Sequence, residues 1–119
     1  MDWAVIFDDA FAAEFATFPR DAQTALVAKA RLLERFGPRL GRPHVDTLKG
    51  SKHANMKELR FDAAGGAWRV AFAFDAFRQA VVLVAGDKSG ESHARFYRTL
   101  IVTADKRFDA HLAQQRQGD

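Results

Sequence analysis

Three apolar, strand-like runs between Leu48 and Gly90 each carry a cation: Arg60 in MKELRFD, Arg69 in WRVAFAFD, and Lys88 just beyond AVVLVAGD. Burying an unpaired cation is costly, so strands that keep such side chains are expected to turn them toward water and toward something negatively charged. Fixed cations stabilise the charge that builds up on a phosphate as it is cleaved or transferred. A polyanion, RNA or DNA, is therefore the first candidate partner. Imidazole is the side chain whose charge changes near neutral pH, which marks His53 as a candidate acid–base group. Tyr97 has the chemistry to stack on a base or to take part in proton transfer. Lys49, Lys52 and Lys57 form a basic run suited to attracting a nucleic-acid backbone, a contact that weakens as salt rises.

The bulk properties narrow the classes. A chain of 119 residues suits one domain, taken as residues 1–119. With 48% hydrophobic residues and eleven Phe, it has the material for a core. It has no cysteine, which removes disulfides, thiolate metal sites and thiol nucleophiles. The four histidines show no metal-site spacing, and no cofactor motif such as a P-loop or GxGxxG is present. No apolar run approaches the roughly 20 residues needed to span a bilayer, and the first residues do not resemble a secretory leader. A cytoplasmic protein without membrane contact is expected. The net charge of +3 is modest, but its distribution is uneven. Asp2, Asp8, Asp9 and Glu14 stand in an N-terminal stretch without Lys or Arg, whereas Arg39, Arg42, Lys49, Lys52, Lys57 and Arg60 cluster later.

The elements that must position these groups follow from periodicity. WAVIF at Trp3–Phe7 reads as a strand, and Asp8 suits a helix N-cap. Phe11, Phe15 and Phe18 recur at helical spacing, and a second helix runs from Pro19 to about Phe36, stopped by Gly37-Pro38. Residues 37–55 read as a loop. Two alternating strands and one apolar strand follow in meander order. Trp68, Val70, Phe72 and Phe74 share one face, and Arg69, Ala71 and Ala73 the other. From Ser92 onward Phe96, Tyr97, Leu100, Ile101, Ala104, Phe108 and Leu112 predict a helix, with a strand over Thr99–Thr103 as the alternative and fraying beyond Gln114. The expectation is an α+β fold, β-α-α-β-β-β-α, with a small, mainly antiparallel sheet packed against helices. Helices from both halves would cover the Trp68/Phe72 face, leaving Arg60 and Arg69 on the other, partly roofed by the last helix.

The chain resembles the RelE/HigB superfamily of toxins from type II toxin–antitoxin systems, and within it the phage-derived Gp49-like, HigB-type group. The resemblance rests on Leu48-Lys49-Gly50, Glu58-Leu59-Arg60, Trp68-Arg69 opening a strand, Gly86-Asp87-Lys88-Ser89 closing the next, and the helix with Tyr97. It covers nearly the whole chain and agrees with the order of elements. The resemblance implies a RelE/ParE-like fold and metal-independent endoribonuclease activity on mRNA in the ribosomal A site, inhibiting translation. It also implies neutralisation by an antitoxin with a helix-turn-helix domain of HigA type. In that chemistry the ribose 2′-OH attacks the adjacent phosphate, leaving a cyclic phosphate and a free 5′-OH. Arg69 matches the family's strand arginine, Arg60 the cation of the preceding strand, and Lys88 the basic position after the last strand.

One departure stands out. Met56 and Glu58 occupy positions where the best-known members carry lysines, so a lysine-based proton-transfer scheme does not carry over. His53, Lys49 or Lys52 are the substitutes that the sequence offers. Two alternatives share the fold: a ParE-type toxin that poisons gyrase without nuclease activity, and a basic binding domain that is not catalytic.

Overall fold

The computed structural model describes residues 2–118. The chain runs β1 (Ala4–Phe7), α1 (Asp9–Phe15), α2 (Arg20–Phe36), a 3-10 turn (Gly37–Arg39), β2 (Val45–Thr47), β3 (Met56–Ala63), β4 (Gly66–Phe74), β5 (Gln79–Asp87) and α3 (His93–Gln117). Local signals account for the boundaries. The Asp8 carboxylate accepts the Phe11 N–H at 3.1 Å and caps α1. Gly37 ends α2 at φ +55°, and a Cβ there would stand 2.4 Å from the Trp3 ring. Ser92 caps α3 by accepting the Arg95 N–H at 3.2 Å.

The five strands form one sheet in the order β1-β5-β4-β3-β2. It is antiparallel except for β1, which runs parallel to β5 at one edge. The alternation read from the sequence is the alternation observed. On one face Leu59, Trp68, Val70, Phe72 and Val82 pack against Phe11 of α1 and Leu26 and Leu33 of α2. On the other, Met56, Ala71, Ala73, Val81 and Leu83 pack against Phe96, Leu100, Ala104 and Phe108 of α3.

The structure corrects the sequence reading in three places. The last helix does not join the first two; it roofs the opposite face, as partly expected, but so fully that the sheet is sandwiched and Arg69 is buried beneath α3 rather than open to water. The small side chains of Ala71 and Ala73 are the reason: they leave room for a helix that brings two phenylalanines of its own. The stretch read as loop contains β2, paired antiparallel with β3 through Val45↔Leu59, Asp46↔Glu58 and Thr47↔Lys57. A three-residue strand among Gly and Pro is too short to show a period. The C-terminal residues stay helical through Gln117, where the sequence predicts fraying beyond Gln114, while the helix expected over Thr99–Thr103 is present; Met1 and Asp119 lie outside the described residues.

Candidate phosphate-binding groove

The pairing of β3 with β4 puts Arg60 directly opposite Arg69, and the pairing of β4 with β5 puts Gly86 on the far side of Arg69. Like charges directly opposite in a sheet repel, so this pair needs anions. The protein supplies few. Arg69 is 7% exposed, and its Nη1 donates to the Trp68 carbonyl at 2.9 Å. Its Nε lies 3.9 Å from Glu58 Oε1, too far for a hydrogen bond, and is buried without a hydrogen-bond partner. Gly86 lets Phe96 of α3 approach the sheet, since a Cβ there would stand 2.9 Å from the Phe96 ring.

Glu58 is buried beside Arg69 and accepts the Tyr97 hydroxyl at 2.8 Å. Burial pushes the Tyr97 phenol above its ordinary range and the Glu58 carboxylate pushes it further, while Arg69 opposes both. The hydroxyl therefore stays protonated at neutral pH and acts as a donor, not as a base. One strand further out, Asp46 accepts Arg42 at 2.8 and 3.1 Å and stands 3.8 Å from Arg60. The Thr47 backbone N–H, then Arg42, hold the Asp46 carboxyl below its ordinary range.

These groups open into a groove of about 350 Å³ whose walls include Arg42, Asp46, Lys49, Glu58, Arg60, Lys88, His93 and Tyr97. The His93 and Tyr97 rings lie 4.6 Å apart on the first turns of α3. Arg69 lies on the wall of an adjoining pocket that shares Arg42 and Arg60 with the groove.

Of the residues chosen from sequence, Arg60, Lys88, Tyr97 and Lys49 line the groove and Arg69 sits beside it. His53, Lys52 and Lys57 do not line it. His53 Nε2 meets Asp109 Oδ1 at 2.8 Å and its ring packs on Phe108, while Lys52 pairs with Asp109. Asp109 is twelve residues beyond Tyr97 on α3, about 18 Å along the axis. Thus His53 fastens α3 to the loop before β3, far from the Arg60/Arg69 pair. Lys57 reaches toward Thr47 Oγ1 at 3.4 Å. Sequence reasoning underrated three groove residues. In the sequence Glu58 stands out only as a departure from the family's lysines, Arg42 as part of a basic loop, and His93 as one of four histidines without metal-site spacing. The four-residue spacing of His93 and Tyr97 was the available signal for a shared helix face.

The family model described as phage derived protein Gp49-like matches residues 13–109. The chain belongs to the Gp49-like family. Two proteins of Mycobacterium tuberculosis (strain ATCC 25618 / H37Rv) that carry the toxin names HigB3 and HigB2 are similar to it. HigB3 is 44% identical over 104 residues, covering 87% of this chain and 89% of that protein. HigB2 is 46% identical over 96 residues, covering 80% of this chain but only 47% of that protein, so the chain spans about half the length of HigB2. A mutant of the Escherichia coli toxin RelE in the free state superposes with a TM-score of 0.62 at 14% identity, covering 86% of this chain and 96% of RelE. An archaeal RelE–RelB complex from Pyrococcus horikoshii OT3 gives 0.54 at 16% identity, covering 76% and 99%. At such identities these structures establish that this Gp49-like chain has the RelE fold. Among its described residues no helix is long and apolar enough to cross a membrane, and no group of three or more His, Asp or Glu could hold a metal ion.

Proposed function

We propose that residues 1–119 form one toxin domain of a type II toxin–antitoxin pair and that it cleaves mRNA in the ribosomal A site. The observation that carries this reading is the cross-strand Arg60/Arg69 pair, with a buried guanidinium Nε left without a partner at the edge of an open groove. Two guanidiniums directly opposite one another, with their nearest carboxylates at 3.8 and 3.9 Å, call for further negative charge, and a phosphate supplies it. The identity to HigB3 over most of both chains supports the toxin role.

In this mechanism the scissile phosphate lies over Arg60 and Arg69, which offset the charge of the pentacovalent state. The 2′-oxygen bonds to phosphorus, the bond to the 5′-oxygen breaks, and the products are a cyclic phosphate and a 5′-OH. Glu58 takes the proton of the 2′-OH and His93 returns one to the leaving oxygen. Tyr97 remains protonated and orients Glu58. Lys49 and Lys88 hold the flanking backbone. A small antitoxin of the helix-turn-helix, HigA type neutralises the toxin by covering this face. Ribosomes as the site of action place the protein in the cytoplasm.

The test is induced expression of wild type and Arg69→Ala with mapping of mRNA 5′ ends. Growth arrest with ribosome-phased cuts, abolished by the substitution, is expected. Arrest without cuts but with gyrase–DNA cleavage complexes would replace this reading with gyrase poisoning. Normal growth at full soluble expression would remove both.

A further inference from the structure

The groove does not end at Arg60. On its other side lies a pocket of about 330 Å³ lined by Arg42, Pro43, Arg60, Phe61, Asp62 and Arg69. Three guanidiniums face one carboxylate there. Among the described residues Asp62 makes no ion pair, and Asp46, which does bind Arg42 and Arg60, lines the first groove rather than this pocket. The Arg42 side chain is 77% exposed, is held by two hydrogen bonds to Asp46 and lines both cavities. The floor is the opposite. Arg69 is held by the Trp68 carbonyl and by burial, with its Nε unpartnered. Three guanidiniums against one carboxylate suit a ligand that carries its own negative charge. The volume is at the small end for ligand pockets and takes one nucleotide, not an oligomer.

We infer that this pocket is a second nucleotide subsite, holding the phosphate next to the scissile one, with Arg60 and Arg69 shared between the two phosphates. The inference rests on the ribonuclease reading of the groove and adds a second subsite beyond it. Pro43 and Phe61 supply the apolar wall against which the sugar or base lies, and Asp62 disfavours a further anion at the rim.

The test uses 2′-deoxy dinucleotides, which bind but are not cleaved, titrated into the 15N-labelled full chain while the arginine Nε–Hε signals are followed. One dinucleotide has only its internal phosphate; two others add a terminal phosphate at the 5′ or the 3′ end. One of the phosphorylated forms is expected to bind about tenfold more tightly, as two charge-assisted contacts imply, and to move the Arg42 and Arg69 signals. Arg42→Ala should remove that gain, and Asp62→Asn should increase it. Lys49→Ala should weaken all three dinucleotides alike and leave their ratios unchanged. Inorganic phosphate alone should move the same signals only at far higher concentration. A ratio near one in wild type, or a ratio that Arg42→Ala leaves intact, overturns the subsite while leaving the cleavage groove in place. Equal affinity for inorganic phosphate and the phosphorylated dinucleotide overturns it as well. Failure of every dinucleotide to bind overturns the nucleic-acid reading itself, and the subsite with it.

Discussion

The two halves of α3 cover the same sheet face with similar side chains and treat them differently. Along the C-terminal half, polar groups are saturated. Asp75, whose side chain is fully buried, accepts His111 at 3.0 Å, Gln79 and Gln115 at 2.7 Å each, and the N–H groups of Phe77 and Gln79. Arg107 grips both oxygens of Glu14 at 2.9 and 2.7 Å and donates to the Leu83 carbonyl at 2.7 Å. His53 and Lys52 meet Asp109. At the N-terminal half, Arg60 faces Arg69, one buried Nε has no partner, and Glu58 is shared between Arg69 and Tyr97. Histidine, arginine and carboxylate occur at both ends. What separates structure from function is whether their bonding capacity is used up.

That contrast is best broken by substitutions that should affect one property and spare the other. The largest effect is expected from Arg69→Lys, which keeps a charge but loses the planar guanidinium. Ribosome-dependent cleavage should fall about 10²–10³-fold, the cost of removing one preorganised donor, as measured by single-turnover assay. Asp75→Ala should act in reverse. It strands His111, Gln79 and Gln115, and should lower stability by roughly 2–4 kcal/mol in urea denaturation, while cleavage per folded molecule is unchanged.

The same carboxylate predicts a pH effect. Burial alone would raise the Asp75 pKa, but the bonds from His111, the Phe77 N–H, Gln79 and Gln115 outweigh it and hold it below 3.8. A depressed carboxyl contributes stability that is complete above its unfolded value and is lost as pH falls through the folded value. Denaturant midpoints should therefore drop below pH 3.8 in wild type and drop less in Asp75→Asn. The smallest effect belongs to His53→Ala. It should lower the melting temperature slightly and leave cleavage within about twofold, as for a substitution remote from the chemistry; a loss comparable to that of Arg69→Lys would return His53 to the site.

Much of this contrast lies beyond what the chain reveals when read linearly. Period-two alternation set Arg69 and Trp68 on opposite faces, and that holds residue by residue. Helical spacing put Phe96, Leu100, Ala104 and Phe108 on one stripe. Period does not say which sheet face a helix covers, and that choice decided whether Arg69 was wet or buried. It also decided the fate of His53: the local run LKGSKHANMK reads as one basic loop, yet Lys49 lines the groove while His53 and Lys52 are taken by Asp109 from the far end of α3. Glu58 gained its role from a contact 39 positions away, with Tyr97. The opposition of Arg60 and Arg69 was implicit in the length of the Ala63–Gly66 turn, but only the register makes it definite.

Arg60 offers the most direct test, because its side chain is 34% exposed and its nearest acid, Asp46, is 3.8 Å away. Removing its charge relieves the repulsion with Arg69 at little cost in pairing. Single-turnover cleavage on programmed ribosomes and the melting temperature should be measured on one preparation of Arg60→Gln. Cleavage should fall at least about 100-fold while the melting temperature holds or rises. Cleavage at the wild-type rate, or a loss of rate that merely follows a lowered melting temperature, would contradict the Arg60/Arg69 site.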